Sequence, residues 1–90
     1  MGKIALITGA SGGIGSALSE RFAAEGYSLY MHYHRNESSA AALKEKLSHL
    51  VSEANGQFFE PVQADLSVFK GYRRLLEQIH HPIDVIVHNS

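Results

Sequence analysis

Hydrophobic and polar positions along this chain alternate between two periods, and each change of period marks a new element. Ile4 to Ile7 is a continuous apolar run of strand length. Ile14, Ala17, Leu18 and Phe22 then recur at i, i+3, i+4 and i+8, the spacing of one helical face, and Gly26 is a natural C-terminal stop. Ser28 to Tyr33, rich in Leu, Tyr and Met, reads as a second strand. Ala40, Leu43, Leu47, Leu50, Val51 and Ala54 make one stripe of a second helix, which Asn36 or Ser38 can cap and Asn55-Gly56 ends. Gln57 to Gln63 predicts a third strand, and Pro61 suits it to a sheet edge because proline cannot donate to a ladder. Ser67 is placed to cap a third helix in which Tyr72, Leu75, Leu76 and Ile79 share a face despite Gly71. Beyond Pro82, Ile83 to His88 predicts a fourth strand with Val85, Ile86 and Val87 as its buried run.

Strand and helix alternate from end to end, without a repeat, linker or low-complexity tract. This predicts an α/β fold, a doubly wound parallel Rossmann sheet with helices on both faces, and right-handed crossovers give its first four strands the order 3-2-1-4. The fourth strand of such a sheet is an interior one, and the chain stops on it. Residues 1–90 therefore read as the incomplete N-terminal portion of a single dinucleotide-binding domain, truncated before strand five.

Composition narrows the function classes. With 44% hydrophobic and 19% charged residues the chain is not disordered, and a formal net charge of −1 gives no electrostatic ground for nucleic acid or an anionic membrane as partner. No apolar run approaches the roughly 18 residues of a membrane span. Met1-Gly2-Lys3 leads into a strand rather than a signal peptide, and Leu6 stands where myristoylation of Gly2 needs Ser or Thr. The absence of cysteine removes disulfides and thiolate metal sites, and a cytoplasmic protein is the simplest expectation. Among the six histidines, His32 and His34 share a strand face and His80-His81 are adjacent, but neither pair has carboxylate or cysteine companions at ligand spacing, so no metal is expected. Lys70, Arg73 and Arg74 read as a solvated helix face.

The candidate chemistry centres on Thr8 to Gly15, a glycine turn between the first strand and the first helix. N–H groups at a helix start lack intrahelical partners, the helix dipole adds positive potential there, and missing side chains let an anion approach the backbone. Gly9, Ser11, Gly12, Gly13, Ile14 and Gly15 are the cofactor-binding candidates of this turn. Ser16 and Ala17 after Gly15 are not the Lys-Ser/Thr pair of a nucleoside triphosphate loop, so a dinucleotide is favoured.

The turn resembles the short-chain dehydrogenase/reductase family, whose T-G-x-x-x-G-x-G is matched by Thr8, Gly9, Gly13 and Gly15. Because Gly12 is also glycine, it fits the T-G-x-x-G-x-x-G of the family's extended, epimerase-like branch as well. Three further places carry the resemblance. Ala64-Asp65-Leu66-Ser67 looks like the acidic position whose side chain, with the following backbone N–H of Leu66, contacts the adenine edge, although Asp65 can equally cap the third helix. Val87-His88-Asn89-Ser90 resembles the Asn-Asn-Ala-Gly motif; Asn89 matches its second Asn while His88 and Ser90 depart from it, which favours the classical branch. At the end of the second strand, Tyr33-His34-Arg35, no acid occurs from Gly26 to Asn36 and Arg35 offers a forked donor, so NADP is preferred over NAD. Against this, many NADP-dependent relatives carry an arginine where this chain has Gly12.

The resemblance implies an oxidoreductase moving hydride between NADPH and a carbonyl or alcohol substrate, most like the 3-oxoacyl-carrier-protein reductase group, and a homo-oligomer at full length. The family's proton donor is the Tyr of Tyr-x-x-x-Lys, but Tyr27, Tyr30, Tyr33 and Tyr72 are followed four places on by Met31, His34, Glu37 and Leu76. No catalytic residue is therefore assigned, and these residues alone are expected to be inactive. The competing expectations are a non-catalytic dinucleotide-binding or scaffold module, and an epimerase-like protein, which would place an acid where Arg35 stands.

Overall fold

The apolar run at the start of the chain becomes the middle of a sheet. In a computed structural model, which describes residues 2–51 and 56–89, β1 (Ile4–Ile7) is followed by α1 (Gly13–Ala24), β2 (Ser28–Tyr33), α2 (Glu37–Leu50), β3 (Phe59–Gln63), α3 (Phe69–Glu77) and β4 (Val85–Val87). The strands are parallel in the order β3-β2-β1-β4, as the α/β alternation predicts. Ala54 and Asn55, assigned above to the end of the second helix, lie outside the described residues.

Both faces of the sheet are covered, which accounts for unbroken apolar strands rather than alternating ones. Ala5, Ile7, Leu29 and Met31 pack with Leu43 and Leu47 of α2 and with Ala23, Leu18 and Phe22 of α1. On the opposite face Leu6, Tyr30 and Val62 meet Leu75 of α3. Tyr30 is fully buried there, and its hydroxyl accepts from the His80 N–H (3.1 Å) and bonds His81 Nδ1 (2.8 Å). The ends of α1 and α2 follow local rules. Gly26, at φ 96°, closes α1 with its N–H on the Ala23 carbonyl, and Asn36 Oδ1 caps α2 by accepting from the Ser39 N–H at 3.0 Å. Ser38, the alternative cap, lies inside α2.

Several expectations need correction. The buried edge of α1 is Gly15, Ser19 and Ala23, whereas Ile14 is 71% exposed and Ala17 is also exposed. At Gly15 the reason is proximity: the helix start lies so close to the preceding turn that a Cβ there would stand 2.0 Å from the Gly9 carbonyl oxygen. Leu50, placed above on the apolar stripe of α2, is exposed at the helix end. β3 starts at Phe59 rather than Gln57, because the Gln57 amide turns away to donate to the Ala23 and Tyr27 carbonyls at 2.9 and 2.8 Å. Val68, not Ser67, precedes α3 as its cap residue, without a side-chain cap bond. Gly71 and Leu75 form the buried edge of α3, while Tyr72 and Leu76 are exposed. β4 is only three residues long, and Ile86, on the face of its register partner Leu6, is 66% exposed.

Candidate functional site

Parallel strands place their C-terminal ends on one side of the sheet, and the four turns that leave them form the candidate site. β1 leads into the glycine turn, β2 into His34 and Arg35, β3 into Ala64 to Ser67, and β4 into His88 and Asn89.

The glycine turn is shaped by two different uses of glycine. Gly9 lies at φ 61°, a left-handed conformation, and its carbonyl accepts from the Gly12 N–H at 3.3 Å. Gly15 makes the close approach: a Cβ there would stand 2.0 Å from the Gly9 carbonyl oxygen. Gly13 faces outward, with nothing within 4 Å of a Cβ built on it. Gly12 caps α1 without a side-chain bond, and no acid occupies the first turn. The N–H groups of Gly13, Ile14 and Gly15 thus form an acid-free helix start into which an anion fits. Ser11 is half-buried and lies on the α1–α2 side, in a cleft it shares with Ser39 and Lys46.

The second and fourth turns are tied back to the first. His32, buried near the end of β2, accepts from the Gly9 N–H at Nδ1 (3.1 Å) and meets the Ala64 carbonyl at Nε2 (2.8 Å). A carbonyl only accepts, so the ring proton sits on Nε2 and the imidazole is neutral. Burial holds this imidazole below the usual histidine range, helped by nearby His34 and His88 and opposed by the Ala64 carbonyl. Asn89 donates from Nδ2 to the Gly9 carbonyl (3.2 Å) and from its N–H to Thr8 Oγ1 (2.8 Å), while Thr8 Oγ1 also bonds His88 Nδ1 at 3.1 Å.

Asp65 does not cap α3. Its Oδ1 accepts from the Ser67 hydroxyl at 2.6 Å and the Ser67 N–H at 3.0 Å, closing a turn ahead of the helix. The Ser67 hydroxyl, then the Ser67 N–H, hold the carboxyl below the usual carboxylate range, with smaller help from His34 and Arg35. His34 Nε2 stands 3.5 Å from Asp65 Oδ2. Asp65, Leu66, Ser67, His32, His34, Tyr72 and His88 line one cleft of about 390 Å³. Arg35 does not line it; it is exposed, near enough to Asp65 to act on its carboxyl, and its carbonyl accepts from the Glu37 N–H.

The structure therefore joins Gly9 to Asn89 directly and sets Asp65 and Leu66 on a neighbouring cleft, with Arg35 exposed near Asp65 and Ser11 on the far side of the turn. Two residues that matter to this geometry carry no site role in the sequence reading. His32 is weighed there only as a metal ligand, although an imidazole inside an apolar strand, between Met31 and Tyr33, signals a buried polar partner. Gly71 is treated there as a flaw in a helix, yet a Cβ on it would stand 1.6 Å from the Asp65 carbonyl oxygen. Among the described residues no three His, Cys, Asp or Glu side chains gather as a metal site, and no helix is long and apolar enough to cross a membrane.

Known proteins share this fold. The family model for the short chain dehydrogenase matches residues 3–90. Over 90 residues the chain is 52% identical to the uncharacterized oxidoreductase YmfI of Bacillus subtilis, covering 100% of the chain and 36% of that protein. It is 33% identical to the short-chain dehydrogenase/reductase homolog YusS of the same organism, covering 100% of the chain and 81% of YusS. Among solved structures, L-sorbose reductase from Gluconobacter frateurii, complexed with NADPH and L-sorbose, superposes with a TM-score of 0.83 at 29% identity, over 99% of this chain and 33% of that one. The chain thus spans about a third of the length of YmfI and of the sorbose reductase. A family model running from Lys3 through the Asn89 turn, on a sheet of matching order, leaves one assignment: the chain belongs to the short-chain dehydrogenase family.

Proposed function

We propose that these residues form the NADP(H)-binding part of an oxidoreductase that transfers hydride between NADPH and a carbonyl or alcohol substrate. The observation that carries the cofactor choice is at the end of β2. Arg35 stands there in a stretch without an acid from Gly26 to Asn36, so a 2′-phosphate meets positive charge instead of a carboxylate. The NADPH in the sorbose reductase complex supports the same choice. In this reading the N–H groups of Gly13, Ile14 and Gly15 hold the pyrophosphate, with Gly9, Ser11 and Gly12 shaping the approach. Asp65 and the Leu66 N–H face the adenine, and the Asn89 turn borders the adenosine ribose and the nicotinamide side of the cleft. When bound, the nicotinamide supplies or accepts the hydride. The proton donor is placed outside these residues, since none of the four tyrosines has a lysine four positions on. A 3-oxoacyl-carrier-protein is the favoured substrate class, on the likeness of the glycine turn and the Asp65 and Asn89 turns. A cytoplasmic homo-oligomer is the favoured setting for the whole enzyme.

Equilibrium titration with NADPH and NADH, on the protein and on Arg35→Ala, tests the reading. Tighter binding of NADPH, lost in Arg35→Ala while NADH binding is unchanged, supports it. Equal binding of the two cofactors by both proteins overturns the NADP assignment, and binding of neither overturns the dinucleotide role. The same lack of a Tyr-x-x-x-Lys in these residues favours a second reading, a non-catalytic dinucleotide-binding module. NADPH binding without carbonyl-dependent oxidation of NADPH across a substrate panel would favour it.

A further inference from the structure

His32 is a buried imidazole with both nitrogens committed, and its two partners belong to different walls of the site. Gly9 is the first glycine of the turn and holds a left-handed φ of 61°. Ala64 opens the turn that carries Asp65 and Leu66. β1 and β3 are not hydrogen-bonded neighbours in the sheet, because β2 lies between them. The geometry points to His32 as a positioning residue: its neutral ring clamps the Gly9 turn to the Ala64-Asp65 turn and sets the spacing between the phosphate cradle and the adenine-side carboxylate. The functional meaning of that spacing rests on the dinucleotide reading, whereas the clamp itself does not.

Only one protonation state makes the clamp. A proton on Nδ1 would turn the acceptor into a donor aimed at another donor, the Gly9 N–H, and release the turn while the bond to Ala64 survives. The groups around the ring bear on this change. His34 just beyond β2 and His88 beyond β4 oppose a second positive charge, Asp65 beyond β3 is engaged by Ser67 and His34, and Tyr72 of α3 lines the same cleft. β1 and its turn carry no titratable side chain from Ile4 to Gly15.

Two substitutions separate the halves of the clamp. In His32→Asn the amide oxygen falls near the Nδ1 position and still accepts from Gly9; in His32→Gln the longer amide reaches Ala64 and leaves Gly9 without an acceptor. Hydrogen exchange of the Gly9 amide, corrected for intrinsic rate, is followed by NMR at about pH 7.5 and about pH 5. NADPH affinity is measured alongside. In the unsubstituted protein, Gly9 protection present at the higher pH supports the clamp, and because burial keeps the ring neutral any loss on acidification falls below the usual histidine range. So does protection in His32→Asn that is independent of pH and absent in His32→Gln, with NADPH binding about tenfold weaker in His32→Gln than in His32→Asn. Equal Gly9 exchange in the two variants, or an unprotected Gly9 amide in the unsubstituted protein at the higher pH, overturns it. Should the variants not fold, imidazole nitrogen shifts of the unsubstituted protein decide: a proton on Nε2 alone supports the clamp and a proton on Nδ1 overturns it. The Gly9 exchange pattern without NADPH binding in any form would uphold the clamp and remove the dinucleotide reading instead.

Discussion

The carbonyl oxygen of Asp65 occupies the place a methyl group on Gly71 would need, 1.6 Å from an ideal Cβ. α3 can therefore rest on the Asp65 turn only while residue 71 has no side chain. Gly71→Ala is expected to force the helix and the turn apart and to destabilise the fold by about 1–3 kcal/mol, the usual range for overpacking. It should also weaken NADPH binding, since Asp65 and Leu66 move with the turn. Chemical denaturation and cofactor titration on the same variant check both effects. Unchanged stability would mean that α3 does not press on Asp65.

Gly13 gives the opposite outcome. Nothing lies within 4 Å of its Cβ position, so Gly13→Ala leaves the fold intact and, by the helix preference of alanine, stabilises it by up to ~1 kcal/mol. The added methyl nonetheless intrudes on the space from which an anion reaches the N–H groups of α1. Raised thermal stability together with weakened NADPH binding is the expected pair of results. Undiminished binding would place the pyrophosphate elsewhere.

Removing the hydroxyl of Tyr30 tests a feature far from the cofactor. Tyr30→Phe leaves the His80 N–H and His81 Nδ1 without their shared partner on the α3 face of the sheet. A loss of about 1 kcal/mol is expected for a hydrogen bond of this kind, with cofactor affinity unchanged. Urea denaturation followed by fluorescence reads the first quantity and NADPH titration the second.

Acid acts on Asp65 in a direction set by Ser67. Because its folded-state carboxyl is held below the unfolded value, Asp65 contributes stability that is present above the ordinary carboxylate range and lost as pH falls through the lowered value. Ser67→Ala deletes the largest cause of the shift and should move the Asp65 titration upward, toward the ordinary carboxylate range. Carboxyl carbon shifts recorded against pH check this, and an unmoved titration would assign the effect to another group.

What could be read from the residues, and what could not, divides along the same lines. β1 and β2 run over the spans their apolar residues predict, and Pro61 does lie on an edge strand, since these features depend on local composition. The buried edges of α1 and α3 do not follow from hydrophobicity, because contact distance decides them: Gly15, Ser19 and Gly71 are inside, while Ile14 and Leu76 are outside. Helical spacing finds an apolar stripe but says nothing about how closely a helix approaches its neighbour. Similarly, the side chains of Gln57 and Ser67 satisfy particular backbone groups or a carboxylate that only the folded chain brings near. Glycine spacing and charge made the candidate cofactor residues visible, but the tie from His32 to Gly9 joins positions 23 residues apart.

The sheet order also bears on the sequence of events in folding. Ser28 reaches the Lys3 carbonyl across the short α1 crossover, whereas Thr8 reaches Val87, 79 residues away, through the pairing of β1 with β4. Closing the longer loop carries the greater entropic cost, so β1–β2 pairing is expected to precede β1–β4 pairing. Pulse-labelled exchange during refolding should protect the Ser28 amide before the Thr8 amide; the reverse order would refute the sequence of events. A chain still in the act of folding would then own a glycine turn held by β2 well before Asn89 arrives to bond Gly9, so the wall between the first and fourth turns closes late.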